Sequence, residues 1–304
     1  MSVLQDVQEA VAAAAEDVGP AVVAVGGWRH AGSGFVIDSG KILTNAHNIA
    51  GDEVRVVFAD GREATGEVVG IDDDADLAVV AVDTGDAPPV TWADDAGDVA
   101  LGTPVLALAR HHRGALRVTQ GWVAATGRSF RGPRGQRIDG AFEHTAPLAR
   151  GSSGGPVVDA AGRVLGVDTN RVGEGFYLAV PATRALRERV EALARGESPQ
   201  TPRLGLAVAP SRWARQARAA VGLEPRDGLL VRAVEEDSPA ARAGVRRGDL
   251  IVRAGDRPVT AIDDLHAALR DLGEATTLAL DLVRGEQETS VTVSFATTGE
   301  HGTA

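Results

Sequence analysis

The sequence predicts a mainly β protein built from two similar β units, followed by a separate α+β domain. Three observations carry that expectation. The composition is aliphatic and poor in rings, 44% hydrophobic but 4% aromatic, so Val, Leu and Ala must fill the interior. Short β-branched runs punctuated by Gly, Asp and Asn come in two series of similar size. The polar, proline-bearing stretch ESPQTP then interrupts the chain, and beyond it the alternation of elements changes. At 304 residues the chain is long enough for two domains.

The elements follow in order. Over residues 1–17, Val3, Val7, Val11 and Ala14 recur at helical spacing and Gly19-Pro20 stops the run, which predicts a short amphipathic helix. From Ala21 to Val82 the runs AVVAV, SGFVI, KILT, EVRVVF, REATGEVVGI and LAVVAV read as strands. The turn-rich TGDAPPVTWADDAGD separates them from TPVLALA, ALRVTQGWVAAT, FEHTA, GPVVD, RVLGVDT and FYLAV. Thr183 caps a predicted helix with Leu186, Val190 and Leu193 on one face, ending near Gly196. The expected boundaries are therefore a β domain over 18–196, a linker over 197–202 and an α+β domain over 203–296. A polar tail over 297–304 reads as disordered.

Composition also excludes function classes. A formal net charge of -11 opposes binding to phosphate backbones, so nucleic acid is not expected as a partner. With no cysteine there is no disulfide, no thiolate nucleophile and no Cys-based metal site, and no cofactor or metal is expected. The N-terminus lacks a basic start and carries Asp6, Glu9, Glu16 and Asp17, unlike a secretory signal. The default expectation is cytoplasmic, or periplasmic or extracytoplasmic if a signal or anchor was removed. No run of 18 apolar residues could span a bilayer.

Peptide hydrolysis by a serine needs a nucleophile, a base, a group that orients the base, and donors for the oxyanion. The segment RGSSGGP, residues 150–156, offers Ser153 in a Gly-rich turn whose Gly151 and Ser153 amides can converge on one oxygen. Upstream, GSGFVIDSGKILTNAHNI puts His47 just after a strand, and DDDADLAVVAV puts Asp76 just before one. Alone, each has a plainer reading: a flexible turn, a surface histidine, a turn aspartate. In the order His, Asp, Ser, with GSGFVI, ILTNAH, DLAVVAV, GSSGGPVVD and GFYLAVP around them, they resemble the HtrA family of serine proteases.

That resemblance covers about residues 20–295 and implies a chymotrypsin-like pair of six-stranded barrels followed by a PDZ domain. It implies His47, Asp76 and Ser153 as catalytic triad, Gly151 and Ser153 as oxyanion hole, and Leu148 and Phe176 as walls of the primary specificity pocket. Pro147 stands six positions before Ser153, where trypsin-like enzymes carry an acid, so a strong preference for Lys or Arg is not expected, and the small apolar pocket that the resemblance implies leads to cleavage after Val, Ala, Ile, Leu or similar residues. In the PDZ-like region, RLGLAV matches the carboxylate-binding loop at Leu204, Gly205 and Leu206, which would hold hydrophobic C-terminal peptides by strand addition. Unfolded polypeptides are the expected substrates. The family implies a homotrimer, but residues 1–20 lack the aromatic residues that hold such trimers, leaving a monomer as alternative.

The chain departs from the family at Ser152, where Asn is usual, at Glu143-His144-Thr145, where Gln-Thr-Asp is usual, and in ARHHRGALRVTQG, which lacks an Asn-Pro-Phe-Gly loop. His111-His112 reads as a solvated loop, Asp72–Asp74 as an exposed turn, residues 128–137 as a basic surface loop, and His266 as an exposed position on the groove helix. Two competing functions remain at this level. One is a peptide sensor on a barrel scaffold, which a complete triad argues against. The other is an esterase or acyl transferase, which the appended peptide groove argues against.

Overall fold

The computed structural model describes residues 2–27, 31–94, 99–111, 114–132, 137–173, 175–199, 202–272 and 275–295. The chain divides into two compact units, Met1–Pro199 and Gln200–Ala304.

In the first unit, the strands β1 (Val22–Val25), β2 (Gly32–Asp38), β3 (Lys41–Thr44), β4 (Glu53–Val57), β5 (Glu63–Asp72) and β6 (Leu77–Ala81) form a closed antiparallel barrel in the order β1-β2-β3-β6-β5-β4. A second closed barrel, order β10-β11-β12-β9-β8-β7, contains β7 (Pro104–Arg110), β8 (Leu116–Arg131), β9 (Arg137–His144), β10 (Pro156–Val158), β11 (Val164–Arg171) and β12 (Tyr177–Pro181). The two six-stranded barrels expected from the sequence are thus present among the described residues.

The near-continuous apolar runs have a physical reason. Successive residues of a strand face opposite ways. Val23, Val25, Ile42, Ala78 and Val80 fill the first barrel. Their neighbours Val22, Leu43, Leu77 and Val79 join a larger core with Val105, Ala107, Phe142, Val157 and Val167 of the second. Strands buried on both faces cannot alternate with polar residues. The helix α1 (Val3–Asp17) adds Ala14 to that core, with Val11 partly buried against it. In α2 (Arg184–Ala194), the Thr183 hydroxyl accepts the Leu186 amide at 3.1 Å, and Leu186, Val190 and Leu193 are buried.

Two surface readings need correction. Asp72 is 2% exposed: its Oδ1 accepts the Ala75 amide, and Arg189 of α2 reaches its Oδ2 at 2.9 Å. The burial follows from that helix packing on β5, which supplies the charge partner. The basic segment is not simply a loop either, since residues 128–131 belong to β8 and Arg137 opens β9, paired with Arg131. Residues 133–136, His112 and the tail 297–304 lie outside the described residues.

The second unit is a sheet of order β13-β14-β15-β17-β18, with β13 (Leu206–Ala209), β14 (Leu229–Val234), β15 (Leu250–Ala254), β17 (Thr277–Arg284) and β18 (Gln287–Ser294). The two-residue β16 (Arg257–Pro258) pairs with β15. Helices α3 (Ser211–Ala220), α4 (Pro239–Arg242) and α5 (Ile262–Arg270) complete it, with Leu265 and Leu269 of α5 in its core. The helix α3 was not anticipated from sequence. It buries Ala214 and the stem of Arg218, whose guanidinium donates to the Glu224 and Gly285 carbonyls. Asp249, 1% exposed, is gripped by Arg284 through bonds of 2.7 and 2.8 Å and by the Arg246 amide at 2.8 Å. Burial opposes ionisation of Asp249, but these donors outweigh it and hold the carboxyl below its ordinary value.

Candidate active site

The turn Ala46–Asn48 follows β3 directly and carries His47. Its ring Nδ1–H donates to Asp76, with 2.8 Å to Oδ2 and 3.0 Å to Oδ1, and its amide donates to Oδ1 at 3.1 Å. With Nδ1 bearing the proton, Nε2 carries the lone pair and is the atom free to accept one. Asp76 adopts φ 57, a left-handed conformation that Asp tolerates better than most residues, and its carbonyl accepts the Ala46 and Asn45 N–H groups. The 2%-exposed carboxylate therefore approaches the imidazole along a fixed line.

A third donor comes from the other barrel. The Thr169 hydroxyl, on β11, donates to Asp76 Oδ2 at 2.9 Å. The main-chain carbonyl of the same Thr169 accepts the Ser153 hydroxyl at 2.9 Å. Thus one strand residue touches both the candidate nucleophile and the candidate orienting acid. No hydrogen bond joins Ser153 Oγ to His47 among the described residues, and catalytic hydrogen bonds commonly form or tighten only with substrate present.

The turn around Ser153 is pinned by its main chain. Ser33 of β2 donates its amide to the Ser153 carbonyl at 2.8 Å and its hydroxyl to the Gly151 carbonyl at 2.9 Å. Asn48, 3% exposed, donates to the Ser153 carbonyl at 2.9 Å. Gly154 has φ +89, and a Cβ there would meet the Ser33 carbonyl oxygen at 2.2 Å, so the turn tolerates no side chain at that point. Among the described residues, neither the Gly151 nor the Ser153 amide donates to another backbone group. Behind Ser33, the Arg110 guanidinium is buried and donates to the carbonyls of Val22, Gly114 and Gly19, fastening β7 to the start of the first barrel.

Beside the turn, Leu148 is partly buried against the core, whereas Phe176 is 41% exposed. It is the neighbour of Phe176, Tyr177, whose hydroxyl donates to the Leu148 carbonyl at 3.1 Å. Beneath lies a pair that sequence reasoning missed. His144 Nε2 and Asp168 Oδ1 are 2.8 Å apart, and both residues are fully enclosed at 0% and 1% exposure. Burial pushes the Asp168 carboxyl up, against the opposing pull of His144. Thr169, Ser33, Asn48 and Tyr177 likewise escaped the motif search, because each acts through a contact distant in sequence. No group of three or more potential metal ligands occurs among the described residues.

In the second unit, Leu204 is buried and its carbonyl accepts the Ala240 amide, while the Gly205 carbonyl accepts the Glu235 amide. Both loop carbonyls thus point into the domain. Leu206 opens β13, the edge strand of the sheet, in register with Val234. His266, expected to be exposed, is half-buried on α5.

Residues 32–167 match the trypsin-like peptidase domain family, and residues 230–293 match the PDZ domain family. The chain is 33% identical over 280 residues to the putative serine protease HhoA of Synechocystis sp., covering 87% of this chain and 70% of that protein. It is 28% identical over 283 residues to a probable periplasmic serine endoprotease DegP-like of Rickettsia conorii, covering 90% of this chain and 54% of the relative. The chain spans about half the length of the DegP-like relatives it matches. Among solved structures, the HtrA-type protease AlgW with a decapeptide superposes with TM-score 0.62 at 25% identity, covering 93% of this chain and 97% of that one. The serine endoprotease from Yersinia pestis gives TM-score 0.59 at 27% identity, covering 93% and 96%. A peptidase domain and a PDZ domain in this order, with these likenesses along nearly the whole sequence, establish that the chain belongs to the HtrA family of serine proteases.

Proposed function

We propose that the chain is an endopeptidase for unfolded polypeptides in which Ser153 is the nucleophile, His47 the general base and Asp76 the group that orients it. The observation that carries this reading is the meeting of both barrels at Asp76, where His47 Nδ1 and Thr169 Oγ1 converge on one buried carboxylate. Ser153 Oγ attacks the scissile carbonyl as its proton passes to His47 Nε2, and Asp76 stabilises the resulting imidazolium. The amides of Gly151 and Ser153 hold the oxyanion. The imidazolium then protonates the leaving amine, and water, activated by the same His47, hydrolyses the acyl-serine. A fluorophosphonate probe tests the assignment: wild type becomes labelled and Ser153→Ala does not. Equal labelling of a folded Ser153→Ala variant would sink it.

For the second unit, the reading is capture of hydrophobic C-termini along β13, with the Leu204–Leu206 loop at the carboxylate. Its open edge strand supports this. A peptide ending in a free hydrophobic carboxyl terminus binds, and the amidated peptide does not. The relatives named periplasmic support an extracytoplasmic location over the cytoplasmic expectation; no helix among the described residues is long and apolar enough to cross a membrane. The family supports a homotrimer, and a monomer mass in light scattering would remove that part of the reading.

A further inference from the structure

A substrate whose carbonyl carbon meets Ser153 must lodge the preceding side chain between the chain segments that flank this serine. One is the approach to the nucleophile turn, residues 146–150. The other is the end of β11 after Thr169, whose carbonyl touches Ser153 Oγ. Tyr177 spans both. It stands opposite Arg171 in the β11–β12 ladder, with the Arg171 guanidinium carbon 5.9 Å from its ring centroid, and its hydroxyl binds the Leu148 carbonyl on the far side. At 7% exposure the phenol is buried, its ring held between Arg171 on one segment and the Leu148 carbonyl on the other.

The ring is also held from behind. His144 lies opposite Tyr177 in the β9–β12 ladder, and the two rings stack with centroids 5.9 Å apart and planes at 29°. The imidazole is held by Asp168 at 2.8 Å, within strands that leave neither side chain any exposure worth counting. Burying such a pair costs desolvation that an apolar pair would avoid. Among the described residues neither side chain of the pair hydrogen-bonds His47, Asp76 or Ser153; the main chain of Asp168 holds the nucleophile turn at Gly154 and Gly155, and the His144 ring backs Tyr177.

We propose that Tyr177, buttressed by the buried His144–Asp168 pair, is the floor of the primary pocket and restricts cleavage to sites after residues no larger than Ala or Val. The proposal rests on Ser153 being the nucleophile, and it narrows the aliphatic preference that the family resemblance implies.

The test is cleavage of a peptide library varied at the residue before the scissile bond, run on wild type, Tyr177→Phe, Tyr177→Ala and Tyr177→Leu. Fluorophosphonate labelling above the Ser153→Ala background certifies a folded, reactive site in each. Wild type and Tyr177→Phe favour Ala and Val, because the ring remains. In Tyr177→Ala, kcat/KM for Leu and Phe rises by about tenfold or more relative to Ala, the scale expected when a pocket gains room for several methylenes. Tyr177→Leu shifts the same way by less and serves if the Ala variant fails to fold. Replacing His144 and Asp168 together by Ala, which leaves neither partner buried alone, broadens the profile toward Leu; a uniform fall for every residue would remove the buttress. A labelled Tyr177→Ala or Tyr177→Leu enzyme that keeps the wild-type order overturns the proposal. Equal labelling of wild type and Ser153→Ala overturns instead the nucleophile assignment, and this inference with it.

Discussion

The hydroxyl of Ser33, on the first barrel, lies 2.9 Å from the carbonyl oxygen of Gly151, on the turn of the second barrel that carries Ser153. The amide of the same residue holds the Ser153 carbonyl, so Ser33 fixes the turn at two peptide groups two residues apart. Ser33→Ala removes the hydroxyl's bond to the Gly151 carbonyl and leaves the buried Arg110 amide without the acceptor it has at 3.1 Å, together about 2 kcal/mol of net stability. On the proposed mechanism its larger effect falls on the turn amides assigned to the oxyanion: kcat drops about tenfold with KM little changed, as for a loss felt only in the transition state. Steady-state peptide kinetics check this, and an equal change in both constants contradicts it.

Thr169 is the second inter-barrel link. Thr169→Val removes the hydroxyl donor to Asp76 while keeping the shape, leaving a buried carboxylate one hydrogen bond short. The expected result is a fall of about tenfold in kcat/KM, with Thr169→Ser restoring most of it. If Thr169→Val cleaves peptides at the wild-type rate, the hydroxyl is not needed to set Asp76.

In the C-terminal unit the pH dependence has a defined sign. Asp249 is held below its ordinary value by Arg284 and the Arg246 amide, against the effect of burial. A carboxyl lowered in the folded state stabilises the fold above its unfolded pKa of about 4, and that contribution disappears as the pH falls through the lower, folded value. Amide exchange in β15 and β17 of the full chain therefore accelerates on acidification below about pH 4. Asp249→Asn flattens this acid dependence and destabilises the second unit at neutral pH, where it leaves the Arg284 fork without its anion.

Thr183 gives a local test. Its hydroxyl caps α2 through the Leu186 amide, and Thr183→Ala costs about 1 kcal/mol, with Thr183→Ser close to wild type. Thermal unfolding of the first unit reports the difference.

The candidate triad was legible because each member sits within a contiguous motif, and the two β units were legible because strands buried on both faces leave unbroken aliphatic runs; their closure as six-stranded barrels came from the family resemblance. What escaped are contacts made by docking the barrels. Ser33 and Gly151 are 118 residues apart, and Thr169 and Asp76 are 93 apart, so no local pattern announces either pair. The helix α3 escaped because it buries an alanine and an arginine stem in place of a hydrophobic stripe. The importance of Tyr177 over Phe176 depends on where the β12 register begins, and a one-residue shift there exchanges inside for outside.

Asp76 takes one donor set from each barrel, and this makes activity the logical conjunction of two foldings. On the proposed mechanism, barrels that have not closed on each other present an incomplete machine: a base without its full alignment, and a serine without a base. A nascent or thermally loosened chain would thus be inert while its halves are separately formed, and proteolysis would begin only once they have closed on each other. Heating should accordingly silence peptide cleavage at a lower temperature than the one at which the strands themselves melt.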